Sequence, residues 1–137
     1  MGYHVGDYLT HWLEIGAATD PEKLPKMFYV NWFRKDENGK FLWPGFGENS
    51  RVLAYVLGRL EGEGNVKETP IGLVPTADSL PLEGLEIPAE TLEELLTVDS
   101  EQLRAQLGQV EEHLDRFGDR LPAEVRSQFE NLKARLG

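Results

Sequence analysis

The sequence contains no cysteine. That excludes a disulfide framework, a thiolate metal site and a cysteine nucleophile, and makes an intracellular, cytoplasmic setting the default expectation. No run of about 18 apolar residues occurs, so no transmembrane helix is expected. The opening Met1-Gly2-Tyr3-His4-Val5-Gly6-Asp7 lacks the basic-then-apolar pattern of a secretory signal. Positive charge is scarce: 14 Lys and Arg stand against 24 Asp and Glu, a formal net charge of −10. A surface of that sign is not built for nucleic acid or an anionic membrane. Histidine is scarce too. His4, His11 and His113 have no carboxylate or second histidine at metal-ligand spacing. His4 and His11 lie seven apart and could share a helix face, but a structural or solvated role is expected for each. A G-x-S-x-G elbow is missing. So is the phosphate loop G-x-x-x-x-G-K-[ST], since the only Gly-Lys pair, Gly39-Lys40, runs into Phe41.

What is present suits one globular domain: 137 residues, 40% hydrophobic and 28% charged. The charge is unevenly spread. Residues 1–64 carry nine acidic and seven basic side chains, while residues 65–137 carry fifteen and seven. Aromatics divide the other way, with eight of thirteen between Phe28 and Tyr55. Chemistry that needs flat π-faces therefore belongs to the first half. The acids of the tail follow helix periodicity, which reads as a solvated face rather than paired catalytic acids.

Periodicity predicts a helix over 6–17, where Tyr8, Leu9, Trp12, Leu13 and Ile15 fall mostly on one face. Residues 27–34 are aromatic and β-branched, which favours a strand. Asp36-Glu37-Asn38-Gly39 is a turn signal, with Lys40-Phe41-Leu42 as a short return strand. Trp43-Pro44-Gly45-Phe46-Gly47-Glu48 is expected to be an ordered loop. A helix follows, capped by Asn49 or Ser50, with Val52, Leu53, Val56, Leu57 and Leu60 as its apolar stripe. A short strand is expected around 71–74, then a surface loop over 76–88 and a short helix over 90–96. Leu103, Leu107, Val110, Leu114 and Phe117 form one narrow stripe, and Val125, Phe129, Leu132 and Leu136 a second. Gly118 and Pro122 separate them, which predicts an antiparallel helical hairpin.

The turn at 36–39 would bring Phe33 near Phe41, and the following loop could return Phe46 to the same place. Such a slot suits a planar heterocycle, each stacking face contributing about 1–3 kcal/mol. Asn49 at its edge offers both a donor and an acceptor, and Gly45 and Gly47 allow close backbone approach. The same rings could instead be ordinary core, with Asn49 a helix cap.

The run Asn31-Trp32-Phe33-Arg34-Lys35-Asp36, continued by Gly39-Lys40-Phe41-Leu42-Trp43-Pro44-Gly45-Phe46-Gly47-Glu48-Asn49-Ser50-Arg51-Val52-Leu53, resembles the signature near the C-terminus of GTP-dependent phosphoenolpyruvate carboxykinases. The flanks 6–12 and 69–75 are similar as well, so the resemblance covers residues 2–75 closely and the acidic tail only in kind. It implies an α+β fragment of a larger α/β carboxykinase domain: helix, short β-hairpin, aromatic loop, helix, short strand, then acidic helical hairpin. Residues 1–75 would belong to the nucleotide-binding domain, and 76–137 would be a loop and acidic helices packed on it. The implied reaction converts oxaloacetate and GTP to phosphoenolpyruvate, carbon dioxide and GDP with Mn2+ or Mg2+, in gluconeogenesis. The implied guanine pocket is Trp32, Phe33, Phe41 and Phe46, with Phe33 and Phe46 as the stacking faces and Asn49 contacting the base. Phe46-Gly47-Glu48-Asn49 would be the GTP-binding segment. No catalytic residue and no metal ligand of the family falls in this chain, so alone it is expected to be inactive. Its partners would be a guanine nucleotide and the remainder of the carboxykinase. The competing reading is a non-enzymatic binding module whose acidic helical hairpin docks a partner helix.

Overall fold

The computed structural model describes residues 2–137, and they sort into two units: residues 2–25 with 99–137, and residues 26–98.

In the first unit, helix α1 spans Val5–Ala18, close to the predicted range. One of its orphan amides is met by His4, whose Nδ1 accepts the Gly6 N–H at 3.0 Å, the place usually taken by Ser or Asp. His4 is thus structural, while His11 lies exposed on the helix. Gly6 is buried against the Arg120 carbonyl, and a Cβ there would collide with that backbone. Asp7 pairs with the Arg120 guanidinium. The rings of His4 and His113 both stand edge-on to Phe117, at centroid distances of 5.9 and 5.2 Å. Helices α4 (Ser100–Asp115) and α5 (Ala123–Leu136) run where the two apolar stripes place them. Their register is antiparallel: Arg104 donates to the Leu136 carbonyl, Lys133 meets Glu111, and Arg126 meets Asp115. Phe129 and Leu136 are the buried centre of this unit.

In the second unit, residues 27–34 do not form the expected strand; the only pairing nearby is an isolated bridge between Lys35 and Phe41. Two local causes are visible. The Asn31 side chain accepts the Phe33 N–H at 3.0 Å, an Asx turn that bends the chain away from extended geometry. Met27 and Tyr29 are almost wholly exposed, and among the described residues no strand pairs with this stretch. The turn at 36–39 does form. Asp36 Oδ1 accepts from Asn38 N and Lys40 N, and Gly39 takes the positive φ of 79° that the turn needs. The return strand is reduced to that one bridge.

Helix α2 spans Asn49–Leu60. The expected cap is corrected here: Glu48 is the N-cap residue, without a side-chain cap bond, and Asn49 is the first helical residue with its amide used elsewhere. The strand expected around 71–74 is half of a hairpin. Strand β1 (Val66–Thr69) pairs antiparallel with β2 (Gly72–Pro75), Val66 opposite Pro75 and Thr69 opposite Gly72. Lys67-Glu68-Thr69 carries no apolar alternation, so its strand character comes from pairing rather than from pattern. Helix α3 spans Ala89–Leu96. Leu42, Trp43 and Leu92 are the buried residues of this unit. No helix among the described residues is long and apolar enough to cross a membrane.

Candidate functional site

The candidate residues lie in one stretch of the second unit, from the Asx turn at Asn31 to the first turn of α2. The hairpin bond from Leu42 N to the Arg34 carbonyl, 3.0 Å, fixes its base. Phe33 and Phe41 then meet edge-to-face, centroids 6.3 Å apart, and the Lys35 ammonium sits 4.7 Å above the Phe41 ring. These rings are not core: Phe33 is 74% exposed and Phe41 50%. Trp32, in the turn, is half-buried.

The chain then reverses at Gly45, with φ 114° and ψ −158°, a conformation essentially closed to residues with a Cβ. A single 3-10 turn, Phe46–Glu48, leads into α2. Phe46 stands 94% exposed on this turn and joins no ring pair among the described residues. The structure thus brings Phe33 and Phe41 together, and does not bring Phe46 into ring contact with either. Gly47 is exposed, with nothing within 4 Å of where a Cβ would be. The Glu48 carboxylate is engaged by Arg51 within the first turn of α2, so it is not offered to a ligand as a free anion.

Within the loop, the buried Trp43 is linked to Asn49. The Trp43 Nε1–H donates to Asn49 Oδ1 at 2.9 Å. Two arginines fasten the neighbouring chain. Arg51 donates to the carbonyls of Pro81 and Glu83, at 2.7 and 2.9 Å. Arg34 donates to those of Leu95 and Thr97 at the C-terminal end of α3, at 3.3 and 2.9 Å, a cation placed where the helix dipole favours one. Sequence reasoning missed the roles of Trp43, Arg34 and Arg51. Periodicity carries no signal for an aperiodic loop, and a side chain reaching a carbonyl tens of residues away leaves no local pattern.

Elsewhere, an open groove on one face of α1 is lined by Tyr3, Asp7, Tyr8, His11, Trp12 and Ile15. It offers a tilted ring pair, Tyr8 against Trp12 at 5.5 Å and 46°. Among the described residues no three His, Asp or Glu side chains come together as a metal site, so no step through a divalent ion is derived from this segment.

Comparison with known proteins identifies the family of the chain. A family model described as the phosphoenolpyruvate carboxykinase C-terminal P-loop domain matches residues 1–135. The chain is 47% identical over 137 residues to phosphoenolpyruvate carboxykinase [GTP] of Paenarthrobacter aurescens, covering 100% of this chain and 22% of that protein. It is 50% identical over 137 residues to the protein of the same name from Renibacterium salmoninarum, covering 100% of this chain and 23% of the relative. With the Treponema pallidum protein of that name the identity is 46% over 136 residues, 98% of this chain and 22% of the relative. The chain therefore spans less than a quarter of the length of these curated relatives. An aromatic hairpin and glycine-turned loop leading into α2, within a sequence matched almost end to end by that model, belong to the C-terminal domain family of the GTP-dependent phosphoenolpyruvate carboxykinases.

Proposed function

We propose that this chain is the base-recognition segment of a GTP-dependent phosphoenolpyruvate carboxykinase. The reading is supported above all by the exposure of Phe46 and Phe33, 94% and 74%, beside Asn49. Large rings held on ordered turns yet left in solvent are poorly explained as core, whereas a planar base would cover them. Trp32, Phe33, Phe41 and Phe46 wall the pocket, Phe46-Gly47-Glu48-Asn49 borders the base, and Asn49 contacts its edge. The acidic total does not oppose this, since residues 31–51 hold four basic and three acidic side chains.

In the parent reaction oxaloacetate loses carbon dioxide, and the enolate oxygen takes the γ-phosphoryl group of GTP, leaving GDP. Such transfers depend on positioning and charge neutralisation. This segment contributes binding and orientation of the nucleotide. The phosphate loop motif is absent from its sequence, and the ions that neutralise the phosphates, Mn2+ or Mg2+, are held by the rest of the enzyme. The remainder of the carboxykinase is accordingly the first partner. Exposed Leu53, Leu57, Leu60, Ile71 and Leu73 on α2 and the β-hairpin are apolar surface for it to cover. The cysteine-free composition suits a cytoplasmic enzyme.

The test is fluorescence of the full-length enzyme on adding GDP, with ADP as comparison. Trp32 and Trp43 flank the proposed pocket, so GDP should quench and ADP should not. A full-length protein whose emission ignores GDP would favour the binding-module reading instead.

A further inference from the structure

The guanine-pocket reading, on which this inference rests, leaves open what makes the pocket choose one purine. Trp43 is the most buried aromatic residue of the 26–98 unit, 7% exposed. Its indole nitrogen can only donate. The atom of Asn49 that meets it at 2.9 Å must therefore be the amide oxygen, so chemistry itself fixes the orientation of that amide. Turning the amide by half a rotation would set its NH2 hydrogens against the indole N–H. A buried donor would then lose its acceptor, an expensive exchange. Nδ2, with its two hydrogens, is consequently the end turned away from Trp43.

We propose that Trp43 is a positioning residue that sets base preference: by holding Oδ1 inward, it makes Asn49 present a donor, and not an acceptor, to the purine edge. A 6-oxo purine carries an acceptor at that position, and a 6-amino purine carries a donor. The locked amide thus pairs with the first and opposes the second. A site built around one polarity rejects the other more strongly than an apolar pocket rejects a shape. An unlocked Asn49 could serve either base by rotating its amide, and selectivity would fade while stacking persisted. Backbone geometry supports the lock. The partners lie six positions apart in sequence, and the reversal at Gly45, φ 114°, folds the loop so that they meet.

The test uses the full-length carboxykinase carrying this segment. Steady-state kinetics compare GTP with the triphosphate of 2,6-diaminopurine riboside, which keeps the 2-amino group and replaces the 6-oxo group by an amine. Trp43→Phe keeps an aromatic ring and deletes the N–H. The preference for GTP, as a ratio of kcat/KM values, should fall by roughly tenfold, while the KM for oxaloacetate stays constant. Asn49→Asp still accepts from Trp43 but turns its second carboxylate oxygen to the base, and should reverse the preference towards the diaminopurine nucleotide. A Trp43→Phe enzyme slowed equally on both nucleotides overturns the assignment, because Trp43 then merely packs. Should Trp43→Phe not fold, an unchanged ratio in Asn49→Asp overturns it as well. Failure of the pocket itself looks different: Phe46→Ala and Asn49→Ala would both leave the KM for GTP where it was.

Discussion

Replacing Phe46 by alanine separates binding from folding more cleanly than any other change in the segment. The side chain is 94% exposed and joins no ring pair among the described residues, so its truncation removes almost no intramolecular burial. Exposed substitutions of that kind shift stability by less than about 0.5 kcal/mol. If Phe46 is a stacking face for guanine, the loss falls on the complex instead. Stacking one base on one aromatic ring contributes about 1–3 kcal/mol, which corresponds to an affinity loss of about 5- to 150-fold. The assay is the KM for GTP and for oxaloacetate in the full-length enzyme, with GDP dissociation measured directly, since KM equals a dissociation constant only when chemistry is slow. The expected pattern is weaker GTP and GDP binding, an unmoved KM for oxaloacetate and an unmoved melting temperature. Equal changes in both KM values would show that Phe46 does not stack on the base. A lowered melting temperature would show that it packs where the structure says it does not.

Further expectations concern the helices. Gly6→Ala forces a Cβ into the Arg120 backbone and should cost about 1–3 kcal/mol. Gly108→Ala, in mid-α4 with nothing within 4 Å, should gain about 1 kcal/mol; urea unfolding of the two variants reads both signs. Phe129→Ala empties the best-buried aromatic site of the helical hairpin, 5% exposed, and should cost about 3–5 kcal/mol in the same assay. Lys133 has its pKa raised above 10.5, chiefly by its hydrogen bond to Glu111. Its stabilisation is therefore complete below 10.5 and is lost as pH rises through the raised value. Thermal melts from about pH 9 to 12 should show that decline in the parent chain and a shallower one in Lys133→Met.

The helical elements were legible because each has a periodic apolar stripe and a stop: α4 and α5 follow from Leu103 through Phe117 and from Val125 through Leu136. The hairpin turn was legible through Asp36 and Gly39, which act within five residues. The strand predicted over 27–34 was not found. Its aromatic and β-branched content matched a strand, but the Asx turn at Asn31 bends it and no ladder supports it. The opposite error concealed β1, whose Lys67-Glu68-Thr69 has no strand pattern and gains its conformation from β2. At the candidate site the residue types were readable, and so was the approach of Phe33 to Phe41. The reading of Asn49 or Ser50 as the cap failed because Glu48 takes the N-cap position, and the Asn49 oxygen instead accepts from the Trp43 indole six positions earlier. Tertiary partners of that kind, like the carbonyls held by Arg34 and Arg51, are set by loop paths that sequence spacing does not encode.

The reach of those two arginines also bears on how the chain is made. Arg34 waits for carbonyls 61 and 63 residues later, and Arg51 for carbonyls 30 and 32 residues later. At ribosomal rates of about 5–20 residues per second, the first of these gaps lasts about 3–12 s. Over that interval the aromatic hairpin is already synthesised and its fastenings are not yet translated. Until those fastenings arrive, the segment proposed to bind a nucleotide must be held by its local turn bonds, and synonymous codons that slow translation between 51 and 97 would lengthen that interval without changing a single residue.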